Sequence, residues 1–140
     1  MVFGGGEPLL QADFIHAFRE NAPKEWKIYL ESSLAVEERI LLKVIDDIDF
    51  FLIDVKDMNA EIYERYTGRK PHLMLQNLML LADRNLADKV MIRLPLIAGY
   101  NTEEDRTESE ASLREIGFSS FDRFSYSVKK ALEKRRQIGA

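Results

Sequence analysis

Three consecutive glycines, Gly4-Gly5-Gly6, lead into Glu7 and Pro8 near the start of the chain. Glycines let the backbone approach a ligand closely and take conformations closed to other residues. A carboxylate directly after them suits a cationic group such as an amine. A glycine-rich turn is also an ordinary way to leave a strand, so its meaning depends on what accompanies it. Three later apolar segments end in polar or charged residues: Glu31 with Ser33, Asp54 with Lys56, and Arg93. Side chains alternate across a strand, which puts Glu31 and Ser33 on one face and Asp54 and Lys56 on one face. Arg93 opposes the apolar face of Val90, Ile92 and Leu94. Two readings of this charge set stay open. Charges in a sheet are costly unless paired, so Lys56 and Arg93 could pair internally with Glu7, Glu31 and Asp54. Alternatively a zwitterionic ligand would use both signs, carboxylates for its ammonium and Lys or Arg for its carboxylate, with Arg the better fork.

The elements that must position these residues follow from periodicity. Residues 2–5 read as a strand end, and 9–21 as a helix with Leu10, Phe14 and Phe18 at helical spacing. Residues 26–31 alternate like a strand. Residues 36–48 read as a helix whose stripe is Ile40, Leu41, Val44, Ile45 and Ile48. Residues 50–55 form a nearly continuous apolar strand, as in a sheet covered on both faces. Helices follow at 60–66, ending near Gly68, and at 72–84, with Met74, Leu78 and Leu81 on one side. Residues 89–97 are a strand. Thr102 before Glu103-Glu104-Asp105 reads as an N-cap with an acidic first turn, and that helix stops at Gly117. Residues 121–126 are a last strand, and 127–136 a last helix. About five βα units in sequence demand a parallel sheet with right-handed crossovers. This is an α/β fold, either an open doubly wound sheet or part of a (βα) barrel. In both, ligands bind at the carboxyl edge of the strands.

Composition narrows the function classes. The chain has 140 residues, 46% hydrophobic and 31% charged, and reads as a single globular domain over 1–140. A net charge of −4 gives no footprint for nucleic acid. The basic cluster from Lys129 to Arg136 reads as a solvated helix or tail. No run approaches the ~20 apolar residues of a membrane span. With no basic region and apolar core at the N-terminus, no secretion signal is read, and a cytoplasmic address is expected. The chain has no cysteine, hence no disulfide or thiolate metal site, and its two histidines, His16 and His72, read as structural.

The ordered motifs resemble one family. Residues 3–11, Phe-Gly-Gly-Gly-Glu-Pro-Leu-Leu-Gln, resemble the GGEP segment of radical S-adenosylmethionine enzymes. Asp54-Val55-Lys56-Asp57 followed by Tyr66-Thr67-Gly68, and then Asn77-Leu78, are similar to the Asp-x-Lys strand and its following elements in the activases of glycyl radical enzymes. Arg93-Leu94-Pro95 running to Gly99-Tyr100-Asn101 is similar to a further segment of those activases, closest in type to those of pyruvate formate-lyase. The resemblance spans about residues 2–126. It implies a partial (βα) barrel of the radical SAM type, S-adenosyl-L-methionine and a 4Fe-4S cluster. Gly5, Gly6 and Glu7 match the segment that holds the methionine ammonium. Asp54 and Lys56 match a strand end near the cofactor's carboxylate or ribose, and Arg93 matches a basic strand residue. Glu31 and Ser33 sit where relatives carry an acidic segment near the cofactor and, in some, a monovalent cation. The implied partners are a glycyl radical enzyme, from which a 5′-deoxyadenosyl radical removes a hydrogen, and a reductant such as flavodoxin.

Two departures shape the expectation. Gly4 stands where the family carries a small hydroxyl residue. The cluster-binding C-x-x-x-C-x-x-C loop is absent, as is the family's tyrosine-histidine-arginine-leucine-glycine pattern after Tyr126. With no thiolate the chain cannot ligate the cluster. It is therefore read as the middle and later part of a longer enzyme, its N-terminal unit missing, inactive as an activase alone. The strand at 2–5 would then have an open edge, inviting dimerisation. Alternatives are a cluster-less module that binds S-adenosylmethionine or a peptide, an activase of anaerobic ribonucleotide reductase, and an aldolase-like barrel fragment with Lys56 as a Schiff-base lysine.

Overall fold

A computed structural model describes residues 1–126, and the expected helix at 127–136 lies outside the described residues. Five strands, β1 (Val2–Phe3), β2 (Tyr29–Ser32), β3 (Phe50–Asp54), β4 (Val90–Ile97) and β5 (Phe121–Tyr126), form one sheet in sequential order. Every neighbouring pair is parallel. The order never reverses, whereas a doubly wound sheet requires a reversal. The arrangement is therefore that of a partial (βα) barrel. The connections carry α1 (Ala12–Asn21), α2 (Glu38–Leu42), α3 (Ala60–Thr67), α4 (His72–Asp83) and α5 (Glu103–Ile116).

Alternation along the strands sorts the sheet into two faces. Leu30, Phe51, Ile53, Ile92 and Leu94 are buried, in one core with Leu9, Ile15, Leu41, Met74, Leu78, Leu81 and Leu113 from the connections. The intervening Glu31, Leu52, Asp54, Met91 and Arg93 are only half-buried. The expectation that β3 is covered on both faces is thus corrected: Phe50 and Leu52 lie on a partly open face. In register, Asp54 faces Arg93 and Arg93 faces Asp122.

Local chemistry explains the boundaries. Pro8 opens a 3₁₀ turn, Pro8–Gln11, because its missing N–H is an orphan there in any case. The stripe expected on the first helix is reversed in the structure. Leu9, Ala12 and Ile15 face the core, while Leu10 and Phe14 are exposed. Phe14 and Phe18 instead meet the Phe3 ring edge-on, at 6.3 and 5.5 Å between centroids. The 3₁₀ start rotates the helix relative to the pattern read from residue 9. Trp26 is not in a strand, because Pro23 to Trp26 closes a turn through Trp26 N–H donating to the Pro23 carbonyl at 3.0 Å. The helix expected over 36–48 is shorter. Beyond Leu42 the chain continues in tight turns, with Val44 N–H donating to Leu41 O and Asp47 N–H to Val44 O. Leu41, Val44, Ile45 and Ile48 remain buried. Asn59 caps α3 through Ile62 N–H, and Gly68 ends it at φ 76°. Thr102 and Asp105 form a reciprocal capping box on α5.

Candidate functional site

A cleft of about 220 Å³ opens at the carboxyl edge of the sheet, lined by Gly5, Gly6, Glu31, Ser32, Ser33, Leu52, Asp54, Lys56 and Arg93. Seven of the eight residues singled out from sequence therefore meet in one place. Glu7 does not line it. Its carboxylate accepts hydrogen bonds from Leu9 N–H at 3.1 Å, from the Ser32 hydroxyl at 2.9 and 3.0 Å, and from the Ser33 N–H and hydroxyl at 3.1 and 2.8 Å. Glu7 thus joins the turn after β1 to the end of β2, and it holds Gly5 and Gly6 beside Ser33. Both glycines have left-handed backbones, φ 76° and 72°. A side chain at either would be strained.

The charges are partly paired. Lys56 Nζ donates to Asp54 Oδ2 at 2.7 Å and lies 5.9 Å from the Tyr66 ring centroid. Arg93 stands 3.5 Å from Asp122 and stacks over Phe124 at 4.5 Å. Internal pairing accounts for these two cations, but it leaves acceptors over. Asp54 Oδ1 is buried with no hydrogen-bond partner, and the Glu31 carboxylate has no hydrogen bond or ion pair among the described residues. A buried unpaired carboxylate oxygen is costly, and a donor entering the cleft would remove that cost.

Residues outside the charge pattern fix the frame. Asp57, 2% exposed, accepts from Asn59 N–H at 2.8 Å, the Ser109 hydroxyl at 3.1 Å and the Asn101 amide at 3.2 Å. Asn101 also accepts from Ile97 N–H and donates to Pro95 O. This buried network ties the ends of β3 and β4 to α5, and so spaces Lys56 from Arg93. Asn77 on α4 is fully buried and donates to Leu34 O and Val36 O. It holds Leu34 in a left-handed conformation, φ 59°, directly after Ser33. Arg65 donates to Tyr100 O at 2.6 Å, and the Tyr66 and Tyr100 rings pack edge-on at 4.9 Å, which places Tyr66 beside Lys56. The only sequence signal for Asp57 and Asn101 was their membership of the quoted motifs. Burial pushes the Tyr63 phenol upward, outside the cleft.

The cleft can hold a small group bearing both charges: Glu31 and Asp54 toward an ammonium, Lys56 and Arg93 toward a carboxylate. The donor set therefore fits the amino-acid end of S-adenosylmethionine. It does not fit an iron–sulfur cluster, since the chain has no cysteine. Among the described residues no group of three or more His, Asp or Glu is placed to hold a metal ion, and no helix is long and apolar enough to cross a membrane.

No protein-family model matches the chain. It is 35% identical over 107 residues to the 4-hydroxyphenylacetate decarboxylase activating enzyme of Clostridioides difficile strain 630, covering 75% of this chain and 34% of that protein. It is 30% identical over 109 residues to the indoleacetate decarboxylase activating enzyme of Tractidigestivibacter scatoligenes, covering 77% and 34%. The chain thus spans about a third of the length of these curated relatives. A crystal structure of a domain of pyruvate-formate lyase-activating enzyme from Bacteroides vulgatus superposes with a TM-score of 0.62 at 20% identity, over 88% of this chain and 97% of that domain. That likeness carries the fold, and the sequence matches carry the kinship: over the stretch it shares with them, this chain is a homologue of the activating enzymes of glycyl radical enzymes.

Proposed function

We propose that the chain is the S-adenosylmethionine-binding portion of an enzyme that places a radical on a glycine of a partner enzyme. The observation that carries this reading is the cleft, where two left-handed glycines, a buried unpaired Asp54 oxygen and two cations meet at a strand edge. Its 220 Å³ is below the roughly 300–1,000 Å³ of pockets that enclose a drug-sized ligand. It suits the methionyl head, with Glu31 and Asp54 accepting from the ammonium and Lys56 and Arg93 on the carboxylate. The cofactor supplies the radical chemistry when a reduced 4Fe-4S cluster is present. This chain's residues bind and orient it. The cluster ligands, the reductant (flavodoxin in the family reading) and the docking of the partner belong to the full-length enzyme. Pyruvate formate-lyase is one candidate partner by fold likeness. The relatives above are named for arylacetate decarboxylases, so an assay needs both classes.

Calorimetric titration with S-adenosylmethionine tests the reading. Saturable 1:1 binding is expected, weakened about tenfold or more by Asp54→Asn, since a hydrogen bond to a charged group contributes about 1.5–3 kcal/mol. Absence of saturable binding by the unaltered chain would sink it. Mixed with a partner enzyme, reductant and cofactor, the chain alone is expected to give no glycyl-radical doublet by electron paramagnetic resonance. A doublet would overturn its assignment as a cluster-less part.

The lack of cysteine favours a second reading, a module that binds the cofactor without chemistry. Fusing a cysteine-bearing N-terminal unit from a relative separates the two. A gain of radical-forming activity supports the first, and binding unchanged with no activity supports the second.

A further inference from the structure

Asp54 and Arg93 stand side by side in register on β3 and β4, with their side chains on one face of the sheet. Neighbouring strands are about 4.8 Å apart, so a carboxylate and a guanidinium so placed are within reach of a forked pair. They do not make one. Asp54 Oδ2 takes Lys56, Asp54 Oδ1 is buried with no hydrogen-bond partner, and the ion pair of Arg93 runs the other way, toward β5. There Asp122, its partner in register, lies 3.5 Å from Arg93 Nε, and the Phe124 ring centroid lies 4.5 Å from the guanidinium carbon. Alternation puts Asp122 and Phe124 on the same face as Arg93. Neither lines the cleft, so they back Arg93 from outside it.

We infer that Asp122 and Phe124 are positioning residues of the cleft: together they hold the Arg93 guanidinium off Asp54, so that the two charges do not neutralise each other before a zwitterionic ligand enters. The inference rests on the reading of the cleft as a ligand site. If Arg93 turned toward β3, its fork would take the Asp54 oxygen that an ammonium needs. The ligand carboxylate would lose its fork in the same movement. A ligand would then have to break that pair to bind. An exposed ion pair and a cation over a ring are each modest interactions. They need only outweigh a contact with a carboxylate that Lys56 already partly neutralises. The ion pair engages Nε, which leaves the two terminal nitrogens for a ligand carboxylate.

The test uses the full chain in four forms: unaltered, Arg93→Gln, Asp122→Asn with Phe124→Leu, and all three substitutions together. Each is followed by thermal denaturation, the ¹³C shift of the Asp54 carboxyl without ligand, and titration with S-adenosylmethionine. Replacing both β5 residues is expected to shift the Asp54 resonance and to weaken binding about tenfold, as for loss of a charge-assisted hydrogen bond. In the Arg93→Gln background there is no cation to release. The same two substitutions should then leave resonance and affinity where Arg93→Gln alone puts them. Asp122→Asn by itself keeps size and shape, so it should shift the Asp54 resonance in the same direction even if Phe124→Leu loosens the fold. Phe124→Tyr keeps the ring and should bind like the unaltered chain. An unmoved Asp54 resonance in the β5 variants, or equal losses in both backgrounds, would overturn the inference. If the unaltered chain binds no S-adenosylmethionine, the cleft reading fails, whereas the Asp54 resonance decides separately whether β5 holds Arg93 off.

Discussion

Single residues in this chain divide by whether their partners are near in sequence. Asp54 and Lys56 are two positions apart on one strand end, so alternation alone placed them together, and they do share a 2.7 Å hydrogen bond. Glu7 shows the limit of that reasoning. Its carboxylate, expected at the ligand, is engaged by Ser32 and Ser33, 25 and 26 positions away. Nothing local announces such a partner. Asp57 is similar: it reads as a charge following a strand, yet it is buried and satisfied by neutral donors from 2, 44 and 52 positions away. Removing it leaves the Asn59 N–H, the Ser109 hydroxyl and the Asn101 amide without their acceptor. Asp57→Ala should therefore destabilise by about 3 kcal/mol, as expected for deleting a buried hydrogen-bonded charge. Urea denaturation with an unchanged slope checks it. Because Asp57 spaces the ends of β3 and β4, ligand binding should also weaken. A loss below about 1 kcal/mol would show that the network is not a clamp.

At the scale of elements, the pattern of burial was more legible than the pattern of hydrogen bonds. The stripe from Leu41 to Ile48 is buried as expected, although the chain leaves α2 at Leu42 and reaches Ile48 by tight turns. Apolar spacing near 3.6 is satisfied by either conformation. The first helix failed in the opposite way. Its apolar residues occur on two faces, and only tertiary packing selects Leu9, Ala12 and Ile15 over Leu10 and Phe14. Capping was legible because it is local, as at Thr102 with Asp105. One link between elements titrates. His16 on α1 lies 2.7 Å from Asp47, in the turns after α2, and 3.0 Å from Glu20. The hydrogen bond to Asp47, then its charge, raise the His16 pKa above its usual 6.5. The stabilisation is fully present below that ordinary value and is lost as pH rises through the raised one. His16→Gln should thus lower the melting midpoint more at about pH 6 than at about pH 8. Salt should shrink the difference, because the pair is exposed. A nuclear magnetic resonance titration placing His16 at or below its ordinary 6.5 would contradict the assignment.

The whole molecule is an arc of five parallel strands whose outer members each pair on one side only among the described residues. Its sequential order follows from four crossover connections laid side by side among the described residues. The units were legible from alternation; the choice of arc over doubly wound sheet was not, because both use the same local pattern. The β1 end carries exposed apolar side chains. Met1, Val2, Leu10, Phe14 and Trp26 are all at least half exposed, and Phe3 joins Phe14 and Phe18 in one aromatic group beside the strand. An unpaired edge next to exposed apolar side chains is a template for pairing with another chain. The isolated chain is therefore expected to self-associate with rising concentration. Val2→Lys should suppress this, since a charge on an edge strand opposes pairing, while the cleft on the far side of Gly5 is left intact. Light scattering coupled to size exclusion, run as a dilution series alongside ligand titration, separates the two properties. A monomer at every concentration would mean that the 3₁₀ turn and α1 already shield β1. Association that survives Val2→Lys would move the contact away from this edge, leaving β5 as the other strand paired on one side only among the described residues.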